Sequence, residues 1–170
     1  MCEVQARLAA TLLLAFAIAS PCAHAQIPSP EDQLPDWAQQ QFNALKKAHT
    51  LKISTRVNPF VWRGDFDGDG KPDLALLVQQ TTSGKEGIAI LFRGKAKPLV
   101  LGAGTRFGNG GDDFSWMDLW NVEDRGTLQK GYHGNPVRPA ADGLLVAKEG
   151  SASGLIYIQN GKAKWQQQGD

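Results

Sequence analysis

Cysteine is almost absent from this chain. The two that occur, Cys2 and Cys22, both lie close to the N-terminus. Everything after position 25 therefore lacks a disulfide, a thiol nucleophile and a cysteine-based metal site. Histidine is scarce as well: beyond that point only His49 and His133 remain. Neither has a nucleophile and an orienting acid at a recognisable hydrolase spacing. The patterns G-x-S-x-G, H-E-x-x-H and the phosphate loop are missing, and so is an N-x-S/T sequon. Neither sign of charge is in excess, since 18 Lys and Arg against 17 Asp and Glu leave a net charge of +1. That balance removes the usual electrostatic basis for a nucleic-acid or anionic-membrane partner. No internal repeat occurs at propeller or solenoid period.

The only long apolar run is Leu8–Ser20, too short to span a bilayer as a stable helix. Arg7 precedes it and Ala23-His24-Ala25 follows it, which together read as a signal peptide over residues 1–25 with Gln26 as the mature N-terminus. Pro21 before Cys22 fits a lipidation box poorly. The product is expected in the periplasm or outside the cell, with no transmembrane anchor. An exported chain without disulfides needs another source of stability, and a bound cation is one candidate.

Residues 26–34 (QIPSPEDQL) are polar, carry two prolines and read as a flexible linker. Residues 35–170 are long enough for one domain with a proper core. Pro35–Thr50 is the helix candidate, with Asp36 at its start, Lys46 and Lys47 near its end, and Trp37, Ala38, Phe42, Leu45 and Ala48 on or near one face. From Leu51 onward the signals are β. Phe60–Trp62 reads as a strand, while Leu74–Val78 and Ile88–Phe92 are continuous apolar runs typical of strands covered on both faces. The turn Thr81–Gly87 makes them antiparallel neighbours. Pro98–Leu101, Trp116–Val122, Leu144–Lys148, Leu155–Gln159 and Ala163–Gln167 complete the strand candidates. Asn160-Gly161 is a strong hairpin signal. Residues 123–141 show no periodicity and read as a functional loop or a mobile excursion. The fold class is mainly β: a twisted antiparallel sheet or small sandwich with one N-terminal packing helix.

The informative stretch is Arg63–Val78, RGDFDGDGKPDLALLV. Counting from Asp65, carboxylates fall at positions one, three, five and nine: Asp65, Asp67, Asp69 and Asp73. Gly70 stands at position six, where a calcium loop turns sharply, and Lys71 at position seven, which contributes a backbone carbonyl. Crowded carboxylates repel unless a counter-charge joins them. Ca2+, which takes six to eight hard oxygens, suits the set better than Mg2+, and the lack of Cys or His in the loop disfavours zinc. The stretch matches an EF-hand only in part, because position twelve is Leu76 and the flanks are β-like. It better resembles the D-x-D-x-D-G-x-x-D calcium loops of FG-GAP and VCBS-type repeats, such as those of integrin α propellers. That resemblance implies a β-hairpin loop with Asp65, Asp67, Asp69, Asp73 and the Lys71 carbonyl as ligands. It covers one copy only, so a complete propeller is not expected.

Two other features carry possible chemistry. Arg63-Gly64-Asp65 spells an adhesive tripeptide, but Asp65 is needed as a metal ligand. Asp112, Asp113, Trp116, Asp118 and Trp120 form an acidic and aromatic patch able to hold a sugar or a cationic ligand. The plainer reading makes the tryptophans core and the aspartates turn caps. The sequence thus points to an exported calcium-binding accessory or binding module without catalytic activity, with an envelope protein or glycan as partner. The alternative is a hydrolase or glycan-processing enzyme using the Asp112–Trp120 patch and His133.

Overall fold

The computed structural model describes residues 28–94, 97–132 and 134–169. The leader, both cysteines, Gln26 and His133 lie outside the described residues. One helix and two antiparallel sheets stack as three layers.

Helix α1 (Asp36–His49) starts at Pro35, which is extended, and stops at Thr50, whose φ of 53° is left-handed. Asp36 lies at the positive end of its dipole and Lys46, Lys47 and His49 at the negative end. Ala38, Phe42 and Leu45, at helical spacing, are buried, whereas Ala48 is exposed. Residues 29–34, expected to be a tether, are docked on this helix. Leu34 is buried in the core beneath it, its carbonyl accepts from Gln39 Nε2, and Glu31 pairs with Lys46 at 2.6 Å. Ser29 and Asp32 close the turn between them, and the Ser29 hydroxyl and N–H hold the Asp32 carboxyl below its usual range.

The first sheet has five strands. β1 (Leu51–Ile53) and β2 (Val61–Gly64) pair with successive halves of one edge of β3 (Asp73–Gln80). β4 (Glu86–Leu91) and then β5 (Leu99–Gly102) follow on its other side. The continuous apolar runs are explained by burial on both faces. Leu74, Leu76 and Val78 of β3, with Ala89 and Leu91 of β4, face α1. Ala75, Leu77, Ile88 and Ile90 face the second sheet.

The second sheet is a meander of β6 (Leu119–Glu123), β7 (Gly143–Ala147), β8 (Ser153–Gln159) and β9 (Lys162–Gly169). Trp120, Leu144, Val146 and Ile156 turn inward onto the first sheet. The strand expected from Trp116 begins only at Leu119, because Phe114–Met117 is a turn that buries Met117. Asn160 and Gly161, with φ of 52° and 70°, form the β8–β9 turn that their residue types foretold.

Residues 124–132 and 134–142 fold back over the outer face of this sheet. Gln166 is buried there and donates Nε2 to the carbonyls of Gln129 and Asn135, at 3.4 and 3.1 Å, while the Tyr132 N–H donates to Gln167 O at 2.7 Å. The segment lacks periodicity because it serves as a cover held by its backbone groups, not as a strand.

Gly154 marks a close approach. A Cβ there would lie 2.1 Å from Cζ2 of Trp165 on the neighbouring strand. Gly154→Ala is expected to cost about 1 to 3 kcal/mol, seen as a lower urea midpoint with an unchanged slope. A variant as stable as the parent would show that the indole has room to move.

Candidate metal centre

The acidic stretch is the turn of the β2–β3 hairpin. Gly64 faces Asp73 in the ladder, so the ladder ends where the loop begins. Register alone therefore brings Asp65 and Asp73 together although eight positions separate them. Gly70, with φ +82°, makes the sharp turn between them.

Asp65, Asp67 and Asp73 each place a carboxylate oxygen within 4.8 Å of the others. Asp73 is fully buried. Its Oδ2 accepts from the Phe66 N–H at 3.0 Å and its Oδ1 from the Arg93 N–H at 2.8 Å. Burial pushes its carboxyl up to about 6, with the Asp67 charge adding to the rise and backbone bonds from Arg93, Phe66 and Asp67 opposing it. Asp65 is 6 % exposed; its Oδ2 accepts from the Gly70 N–H at 3.0 Å. Asp65 Oδ1 is buried and has no hydrogen-bond partner among the described residues. A buried acceptor left without a donor ordinarily costs about 1 to 3 kcal/mol, and this oxygen is free to serve as a ligand atom.

Asp69 sits outside this group. It is exposed, accepts from the Lys71 N–H at 2.9 Å and lies 3.5 Å from Lys71 Nζ. The hairpin thus gathers three of the four carboxylates expected from the spacing.

Two residues of the site were not foreseen, and both come from the far end of the chain. The Asp142 side chain accepts from the Asp65 N–H at 2.8 Å, and the Asp142 N–H returns a bond to Asp65 O at 2.9 Å. Arg125 reaches Asp65 Oδ2 at 2.8 Å and Asp142 Oδ1 at 3.5 Å. Both ends of the 124–142 cover are therefore fastened to the acidic loop. The one local sign of Asp142 is the Asp-Gly pair at 142–143, which by itself reads only as a turn.

The donor set is all oxygen and mostly charged, which is the chemistry of a hard divalent cation. A cavity of about 720 Å³ opens beside Asp67 and Gly68, lined also by Pro139 and Ala141, and gives the loop access to solvent. Arg125 is the resident counter-charge. It is half exposed and reaches only one side of Asp65.

The other candidates separate. The tripeptide at 63–65 is not presented outward, since Gly64 belongs to β2 and Asp65 is buried. In the Asp112–Trp120 patch, Trp120 is buried and donates Nε1 to Pro59 O at 2.7 Å. Asp112 pairs with Lys85, whose hydrogen bond holds the carboxyl below its usual range. Burial works against the charge on Asp113, but bonds from the Glu86 and Ser115 N–H groups outweigh it and keep this carboxyl low as well. Asp118 accepts from the Glu149 N–H at 2.8 Å. These acids cap turns and join strands.

No family model, curated protein or solved structure matches the chain. No helix among the described residues is long and apolar enough to cross a membrane.

Proposed function

We infer that this chain is an exported binding or accessory module, without catalytic activity, whose β2–β3 hairpin is closed by a calcium ion. The observation that carries the metal reading is the convergence of Asp65, Asp67 and Asp73, together with the unpartnered, buried Asp65 Oδ1. Calcium is favoured over smaller cations because the ligands sit on a turn with a glycine pivot and include no nitrogen or sulfur. The ion's role is structural: it would tie β2 to β3 and, through Asp142, both to the second sheet. The non-catalytic reading is supported by the structural engagement of Asp112, Asp113 and Asp118. The periplasmic or extracellular location rests on the leader alone.

Thermal melting tests the ion. For a site with a dissociation constant on the order of 0.1 to 1 mM, roughly 10 mM calcium adds about 1.4 to 2.7 kcal/mol and raises Tm by roughly 5 °C. An Asp67→Ala, Asp69→Ala variant should not respond. A parent protein whose melting is the same in calcium and in chelator would mean that Arg125 alone closes the hairpin.

A further inference from the structure

A second cavity, of about 920 Å³, lies at the edge of the second sheet. It adjoins the cavity beside the acidic loop, sharing Val137 and Tyr157 with it, but none of the loop's carboxylates lines it. Its walls are the 3-10 turn Gly108–Gly110, the start of β8, the end of β9, and the tip of the 124–142 cover. We propose that this cleft binds a neutral oligosaccharide. The proposal rests on the binding-module reading above and gives that module its ligand class.

Four aromatic side chains border the cleft: Trp116, Tyr132, Tyr157 and Trp165. Tyr132 is 50 % exposed and the other three are partly exposed, with Trp116 and Trp165 resting on the core between the sheets and leaving part of each ring open. The two indoles are held in place before any ligand arrives. Trp116 donates Nε1 to Gly110 O at 3.1 Å, and Trp165 donates Nε1 to Gln167 Oε1 at 3.1 Å. Trp165 is further fixed by edge contacts with Phe107 and Phe114, at centroid distances of 6.2 and 6.4 Å. Their polar atoms are committed to the protein, so they meet a ligand as carbon surface, and a preset ring loses little freedom on binding.

Amides supply the polar half. Asn109 and Asn135 are exposed at the rim, and Asn109 is oriented by Gln167 at 3.0 Å. Rings for the C–H faces and amides for the hydroxyls are the two contacts that a sugar offers. Charge then sorts the alternatives. Among the described residues the lining holds no carboxylate, so they supply no pair of acids for glycoside cleavage. The one lysine or arginine among the described lining residues is Lys148, too little for a nucleic-acid strand or a polyanionic glycan. The volume lies at the upper end of the roughly 300 to 1,000 Å³ usual for ligand sites, enough for several sugar rings.

The test is calorimetric titration of the full chain, with calcium and with chelator, against neutral gluco- and chito-oligosaccharides of about four to six sugars. A neutral peptide of similar size serves as the control. At least one saccharide series should bind in the micromolar to millimolar range and change tryptophan fluorescence. Tyr132→Ala, at an exposed position, and Trp116→Ala should each weaken it about tenfold or more, with melting checked for both. If Trp116→Ala fails to fold, Tyr132→Ala decides alone. The proposal is overturned by no saccharide binding at millimolar concentration, by binding that ignores Tyr132→Ala, or by preference for the peptide. A calcium-dependent melt without saccharide binding removes only this ligand; binding without the calcium shift removes only the ion.

Discussion

Arg56→Met is expected to lower the free energy of unfolding by about 3 to 5 kcal/mol. Arg56 follows β1, and its Nε donates to Glu86 Oε2 at 2.6 Å while its terminal nitrogen donates to Met117 O at 2.7 Å. Glu86 is 3 % exposed on β4, and its other oxygen accepts from Ser54 Oγ at 2.8 Å. The backbone of Glu86 is equally occupied: its carbonyl accepts from Ala103 and Phe114, and its N–H donates to Asp113. One carboxylate thus joins the first sheet to the turn that leads into the second. Removing the guanidinium leaves a buried charge supported by a single hydroxyl, and the cost of that desolvated charge dominates the loss. Replacing both partners, Arg56→Met with Glu86→Met, should cost less than Arg56→Met alone, because no orphaned charge remains. Urea unfolding of the two singles and the double closes the cycle. A single variant within about 1 kcal/mol of the parent would show that the partly exposed arginine is screened by water and contributes little.

What could be read from the sequence follows a physical division. Strands β3 and β4 were legible because burial on both faces demands an unbroken apolar run, which is a local signal. The β8–β9 turn was legible because Asn160-Gly161 must take positive φ. The spacing of Asp65, Asp67 and Asp73 was legible because one hairpin brings them together. Whatever depends on distant pairing left no such mark. β1 is three residues long, too short for a pattern. Trp116 looked like strand because alternation cannot distinguish a strand from a turn that buries Met117. Asp142 stands 77 positions from Asp65 and is tied to it only by the fold. The aromatic cleft is assembled from four separate stretches, so its composition is visible only once they meet. Residues 124–142 were silent for the opposite reason. Their contacts run through carbonyls and N–H groups, which every residue has.

Asp73 connects the acidic loop to pH, and a cation bound there would change the sign of that connection. Its carboxyl sits at about 6 in the folded, metal-free chain, against 3.8 ordinarily. Below pH 3.8 both folded and unfolded chains hold this proton, and Asp73 takes nothing from stability. Between 3.8 and 6 the unfolded chain releases the proton while the folded chain keeps it, so stability falls as pH rises. Above 6 the full loss, about 3 kcal/mol, is in place. A calcium-depleted protein should therefore lose stability from this group on going from pH 4 to pH 7. A calcium ion bound at this carboxylate would lower the folded pKa by favouring the charged form, and under saturating calcium the slope should then flatten or reverse. Asp73→Asn provides the comparison. It sacrifices one of the two acceptors now used by Phe66 and Arg93, so its absolute stability drops, but it cannot titrate. Subtracting its pH profile from the parent's, in urea unfolding across pH 4 to 7.5, cancels the distant groups and leaves Asp73 with the carboxylates coupled to it. A metal-free parent and variant with parallel profiles would mean that Asp73 ionises normally. A profile unchanged by calcium would mean that the ion does not touch this carboxylate.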